Sequence, residues 1–144
     1  MLVLYDGNCG FCKVMLAVLL RWDRAHRLDA APIQSPLGQQ QLTEMPAEDR
    51  LKSWHFVDDA GELRSGGPAL PVAFAALPRG GAFARIASRF PGATARAYRW
   101  VANHRVLLGR FFGARPRAWS ARVIAEREAT HENPGARVHP PQRR

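Results

Sequence analysis

The chain has 144 residues, 47% of them hydrophobic and 23% charged. That suits one domain with a real core and excludes wholesale disorder or a fibrous repeat. Two cysteines are too few for a disulfide-stapled secreted scaffold. The formal net charge is +9, a balance that by itself points toward nucleic acid or an anionic surface. The charge is unevenly placed, however. Residues 1–78 hold seven bases and nine acids, net −2, whereas residues 79–144 hold fourteen arginines and three glutamates, net +11.

Leu2 to Tyr5 is a short apolar run ending at Asp6-Gly7, which predicts a buried strand and a turn. Residues 9 to about 25 predict a helix, with Phe11, Val14, Met15, Val18, Leu19 and Trp22 at the 3.6-residue period. Leu16 and Leu20 add apolar surface on a second side, so burial on more than one face is expected. Leu28 to Ile33 predicts a second strand, which Pro32 confines to an edge or an end. Gln39 to Lys52 is polar and helix-permissive, with a break at Pro46. Trp54 to Val57 and Glu62 to Ser65 read as a hairpin around Asp58-Asp59-Ala60-Gly61, and Pro71 to Leu77 as a short helix.

From Ala93 to about Gly113 the pattern is helical again. Tyr98, Val101, Leu108 and Phe112 form one stripe, with Trp100, Leu107 and Phe111 beside it. Trp54, Trp100 and the Phe111-Phe112 pair are expected in the core rather than as a stacking platform. Ala118 to Ala129 predicts a last helix. Residues 130–144 are expected to be a disordered basic tail, which leaves residues 1–129 as the single domain. The resulting order, β, α, β, α, β, β, α and then further helices, is that of an α/β thioredoxin-like layered fold with C-terminal additions. The longest apolar run, Val14 to Leu20, is far short of the about 20 residues a membrane span needs. With no basic opening segment either, the expected location is cytoplasmic.

The strongest signal is Cys9-Gly10-Phe11-Cys12 at the junction of the first strand and first helix. Residues i and i+3 at a first helical turn share a face. The unpaired N–H groups and positive end of the helix dipole stabilise a thiolate there. Cys9, nearer the helix end, is the expected nucleophile; it would form a mixed disulfide that Cys12 resolves. Half of a zinc site would need two further ligands, and His26, His55, His104, His131 and His139 lack ligand spacing. Two inert core thiols are the other bland alternative. Asp6, three residues before Cys9, is a candidate proton relay. It is equally a turn residue capping the N–H groups of residues 8 and 9. A carboxylate there raises the Cys9 pKa against the helix dipole, so the net shift is left open. Asn8, Gly10 and Phe11, which flank the thiols, are candidate substrate contacts. His104-Arg105 is a candidate contact to substrate or to the cysteine site, with plain helix surface the favoured reading.

Leu2-Val3-Leu4-Tyr5-Asp6-Gly7-Asn8-Cys9-Gly10-Phe11-Cys12 resembles the opening of the DCC family of thiol-disulfide oxidoreductase-like proteins, whose Asp, Cys and Cys match Asp6, Cys9 and Cys12. Tyr98 to Arg105, continuing to Gly109, resembles a later aromatic and Asn-x-Arg segment of that family. The resemblance spans about residues 2–113 and implies a thioredoxin-like fold with dithiol–disulfide chemistry. Departures from thioredoxins proper are Asn8 before the first cysteine, Gly10-Phe11 between the pair, and Lys52-Ser53 where a proline precedes the third strand. Ala114-Arg115-Pro116 stands where many DCC proteins carry a further cysteine. The implied activity is that of a protein-disulfide reductase, with no metal or organic cofactor. The expected partners are a disulfide-containing protein or small thiol, and an electron donor such as a reductase or glutathione. The competing reading is a basic module in which residues 79–144 bind nucleic acid or an anionic membrane surface.

Overall fold

Side-chain alternation along the strands divides the core in two. The computed structural model describes residues 1–132. In β1 (Leu2–Tyr5), Val3 and Tyr5 point to one face of the sheet and Leu4 to the other, the period-2 behaviour of a pleated strand. β1 is central. It runs parallel to β2 (Asp29–Pro32) and antiparallel to β3 (His55–Val57), which pairs antiparallel with β4 (Leu63–Ser65). The order β2-β1-β3-β4 makes β2 an edge strand, where Pro32 lacks only a hydrogen bond that no neighbour needs. This mixed four-stranded sheet with helices packed on it is consistent with a thioredoxin-like fold.

One face carries the larger core. Val3, Tyr5 and Phe56 meet Leu16, Ala17 and Leu20 of α1 (Gly10–Trp22) and Ala73 of α4 (Leu70–Ala76). Val123 and Ile124 of α7 (Ala114–Glu132) join the same cluster. On the other face Leu4, Ala31, Ile33 and Val57 meet Leu42, which ends α2 (Pro36–Gln41). The polar segment after it forms only a four-residue helix, α3 (Ala47–Arg50), begun at Pro46.

Several expectations change. α1 is covered on more than one side, as expected: Cys12, Leu16, Ala17 and Leu20 are buried and so is Val14 of the apolar stripe, but Met15 and Val18 of that stripe are 38% and 47% exposed. α5 (Gly81–Arg89) was not anticipated, because its arginines interrupt the apolar pattern. α6 (Pro91–Arg110) keeps Tyr98, Val101 and Leu108 half-buried, whereas Trp100 and Phe111 are 57% and 80% exposed. Those two are not core residues. The covered side of α6 is the one facing α1 and the 3₁₀ turn Gly67–Ala69, and Trp100 stacks instead on His104. α7 continues through Glu132, so Thr130 to Glu132 are helical; the rest of the expected tail, 133–144, lies outside the described residues.

Two long-range features fix the C-terminal helices. A side chain at Gly67 would place its Cβ 2.6 Å from Ala95 Cα, so only glycine lets the 3₁₀ turn approach α6 this closely. Arg127 of α7 is 6% exposed and bonds Asp23 Oδ2 (2.8 Å) and the carbonyls of Leu20, Asp23 and Leu28. Asp23 in turn accepts from the N–H groups of Arg27 and Leu28. Both carboxylate oxygens of Asp23 and both terminal nitrogens of Arg127 have partners, the kind of condition under which a buried ion pair is tolerated. No helix among the described residues is long and apolar enough to cross a membrane.

Candidate active site

The chain leaves β1 at Tyr5 and turns within three residues into α1. Asp6 builds that turn. Its main-chain carbonyl accepts from Cys9 N–H (3.2 Å), and its Oδ1 accepts from Asn8 N–H (2.9 Å) and Gln34 Nε2 (2.8 Å). Gln34 Oε1 accepts from Gly7 N–H (3.0 Å), so the turn is braced from the end of β2. The carboxylate thus caps residue 8 as expected, while the N–H of residue 9 goes to the backbone instead.

Cys9 is the N-cap of α1, and its Sγ accepts from Cys12 N–H at 3.3 Å. Sulfur here takes the place of the Ser or Asp oxygen that normally caps a helix. Cys9 is half-buried and Cys12 buried. The Cys9 pKa is pulled down to about 6, chiefly because the Cys12 thiol donates to its sulfur. Burial opposes this, the Cys12 backbone N–H and the Arg105 charge assist, and the Asp6 charge opposes. The balance left open by the sequence therefore falls on the thiolate side. The Cys12 thiol is pushed up, since it holds its proton for Cys9, is buried, and faces the Cys9 charge; the Trp54 side chain and Arg105 work the other way. One thiol is the more acidic and the other keeps its proton, an asymmetry of environment rather than of chemistry.

The surroundings come from the other end of the chain. Tyr98 Oη accepts from Trp54 N–H (2.8 Å), and Arg105 Nη1 donates to Leu51 carbonyl (2.7 Å). Tyr98 and Arg105 are seven residues apart on α6 and so share a helical face; that spacing was readable, but not which face met the thiols. Arg105 is therefore not merely helix surface. His104 lies one residue away and turns to Trp100, whose carbonyl its Nδ1 contacts at 2.7 Å.

The candidate substrate contacts separate. Asn8 is exposed. Phe11 is stacked on Phe112 (centroids 5.9 Å apart) and lies over Gly109. Gly10 lies beneath Arg117, whose Nη2 donates to Gly109 carbonyl (3.2 Å). The junction of α6 and α7 thus roofs the start of α1. Among the described residues no three or more His, Cys, Asp or Glu side chains group to hold a metal.

Comparison with known proteins gives one match, to the family model of DCC1-like thiol-disulfide oxidoreductases over residues 3–111. No curated protein and no solved structure matches. The matched segment takes in β1, both thiols, the whole sheet and α6, and ends before α7. With more than half its length covered and both cysteines of the strand–helix junction inside the match, the chain belongs to the DCC1-like thiol-disulfide oxidoreductase family.

Proposed function

We propose that the protein is a thiol–disulfide oxidoreductase of the protein-disulfide reductase type, cycling Cys9 and Cys12 between dithiol and disulfide. The observation that carries this is the capping contact, Cys12 N–H to Cys9 Sγ, at the first turn of α1. The Cys9 thiolate attacks one sulfur of a substrate disulfide. A Cys9–substrate bond forms, the substrate S–S bond breaks, and the second substrate sulfur leaves as a thiolate that takes up a proton. Cys12 then gives up its proton as it attacks Cys9 Sγ, releasing the first substrate sulfur as a thiolate. The Cys9–Cys12 disulfide is returned to the dithiol by an external reductant, a dithiol reductase or two molecules of glutathione. As mixed-disulfide formation withdraws negative charge from Cys9, the hydrogen bond that holds the Cys12 proton weakens, which favours the second step. Arg105, close to both sulfurs, stabilises each thiolate in turn. Asp6 holds the turn, and Asn8 is the exposed residue beside the attacking sulfur. The expected location is the cytoplasm, where such a pair stays reduced.

In single-turnover assays with a model disulfide, Cys9→Ser should fall to the uncatalysed background, and Cys12→Ser should accumulate a mixed disulfide at Cys9. An undiminished rate in Cys9→Ser would remove the reading.

A second reading is favoured by one surface. Trp100, Leu107 and Phe111 stand exposed on α6 among Arg96, Arg99 and Arg110, a composition suited to an anionic membrane or nucleic acid. Affinity for anionic vesicles or DNA should then fall steeply with salt and ignore both cysteines. No binding at low salt would end it.

A further inference from the structure

A cavity of about 740 Å³ opens between α6 and the segment from β4 into the 3₁₀ turn, within the about 300–1,000 Å³ range of small-molecule sites. Neither thiol lines it, but two residues that act on the thiols do. Tyr98 and Arg105 line it. Tyr98 Oη holds the N–H of Trp54, a residue whose side chain works to lower the Cys12 pKa. Lys52, Ser53, Arg99 and Asn103 are also at its lining.

The cavity is positive. Lys52 is paired with Asp49 at 2.6 Å, but Arg99 and Arg105 form no ion pair with a carboxylate among the described residues. Residues 63–125 contain no Asp or Glu and eleven arginines, so the β4 side and α6 bring no negative charge to it. The site also offers little to an extended protein chain. The backbone donor at the start of β3, Trp54 N–H, is already taken by the Tyr98 hydroxyl, so a peptide strand finds no main-chain partner there. What remains is side-chain recognition of an anion by planar guanidinium groups, which carboxylates satisfy in two-point contacts.

We propose that this cavity is a substrate subsite that holds the carboxylate-bearing arm of a small disulfide, and so places its sulfur against Cys9. The proposal rests on the thiol–disulfide exchange of the oxidoreductase reading and puts a small anionic disulfide in place of its protein disulfide. Binding the carboxylate adds no redox step: the bond made is Cys9 Sγ to substrate sulfur, the bond broken is the substrate S–S, and the departing thiolate belongs to the same anionic molecule.

The test uses the full-length reduced protein with three oxidants in single-turnover stopped flow: glutathione disulfide, rich in carboxylates; bis(2-hydroxyethyl) disulfide, which is neutral; and cystamine, which is cationic. Glutathione disulfide should react fastest, by about tenfold over the neutral compound at low salt, with the advantage shrinking as salt rises. Arg99→Gln should lower the ratio of the glutathione-disulfide rate to the neutral rate by about fivefold, the scale of one partly solvated charged contact. Arg122→Gln, an equal loss of charge on α7, should leave that ratio where it was. Titration with S-methylglutathione, which cannot exchange, should give a dissociation constant that Arg99→Gln weakens. Reaction with the neutral disulfide but no preference for the anionic one, or S-methylglutathione affinity untouched by Arg99→Gln, would overturn the subsite alone. Inertness toward all three oxidants would overturn the oxidoreductase reading and the subsite with it. Faster exchange with a protein disulfide than with glutathione disulfide would contradict the substrate class.

Discussion

The two halves of the molecule divide the work between reactive atoms and their setting. Residues 1–78 hold the sheet, both cysteines and a net charge of −2; residues 79–132 hold α5, α6 and α7 and a net charge of +8. Taken alone, the first half is a strand, a turn and a helix whose N-cap is a cysteine. Helix geometry there lowers a thiol pKa, but the Asp6 charge opposes it. The second half supplies the counter-charge of Arg105, the Tyr98 hydroxyl that fixes the Trp54 backbone, and the Phe112–Phe11 stack over the first turn. The contrast teaches that the basic half is not only an appended tail: through Arg105 it contributes a charge that lowers the pKa of both thiols.

Single substitutions in either half separate the two contributions. Loss of Cys9, assayed as above, has the largest expected effect, since nothing in the second half can replace the nucleophile. Next is the clasp between the halves. Arg127→Met leaves Asp23 buried without its cation and should cost about 3–5 kcal/mol of stability, read as a lower urea midpoint. An unchanged midpoint would mean that α7 is a dispensable appendage. Smaller is the effect on thiol acidity. Cys12→Ala should raise the alkylation midpoint of Cys9 more than Arg105→Gln does, because the Cys12 thiol is the leading cause of the depression and Arg105 a lesser one. The reverse order would put the second half, not the partner thiol, in charge of reactivity. The smallest effect concerns His55, buried with Nδ1 2.6 Å from Ser65 Oγ and Nε2 2.8 Å from Arg50 carbonyl. Burial lowers its pKa below the ordinary 6.5. The unfolded chain therefore binds the proton more readily, so this residue's stabilisation is present above pH 6.5 and is lost as pH falls through the folded value. Urea midpoints should drop on acidification below pH 6.5, and by less in His55→Gln once its lower baseline is subtracted.

Much of this was legible along the chain. The four strands, the turn at Asp58–Gly61 and the position of Cys9 and Cys12 follow from local signals: alternation, turn residues and spacing. Which face of a helix is covered did not. Apolar periodicity marks a stripe, yet Met15, Val18, Trp100 and Phe111 lie exposed because the sheet and α1 occupy other sides. Contacts between distant residues were also beyond local reading. Asp23 and Arg127 are 104 positions apart, and a lone arginine in a basic helix looks the same whether it faces water or sulfur. For that reason the sequence offers Arg105 as a contact to the cysteine site but favours helix surface.

The central claim is that Cys9 is an ionised nucleophile beside a Cys12 that keeps its proton. Iodoacetamide alkylation of the reduced protein across pH, with each cysteine followed by peptide mass spectrometry, tests it most directly. The account predicts modification of Cys9 with a midpoint near pH 6 while Cys12 stays unmodified through neutral pH. Two thiols titrating together near the ordinary value of about 8.5, or Cys12 reacting first, would contradict it.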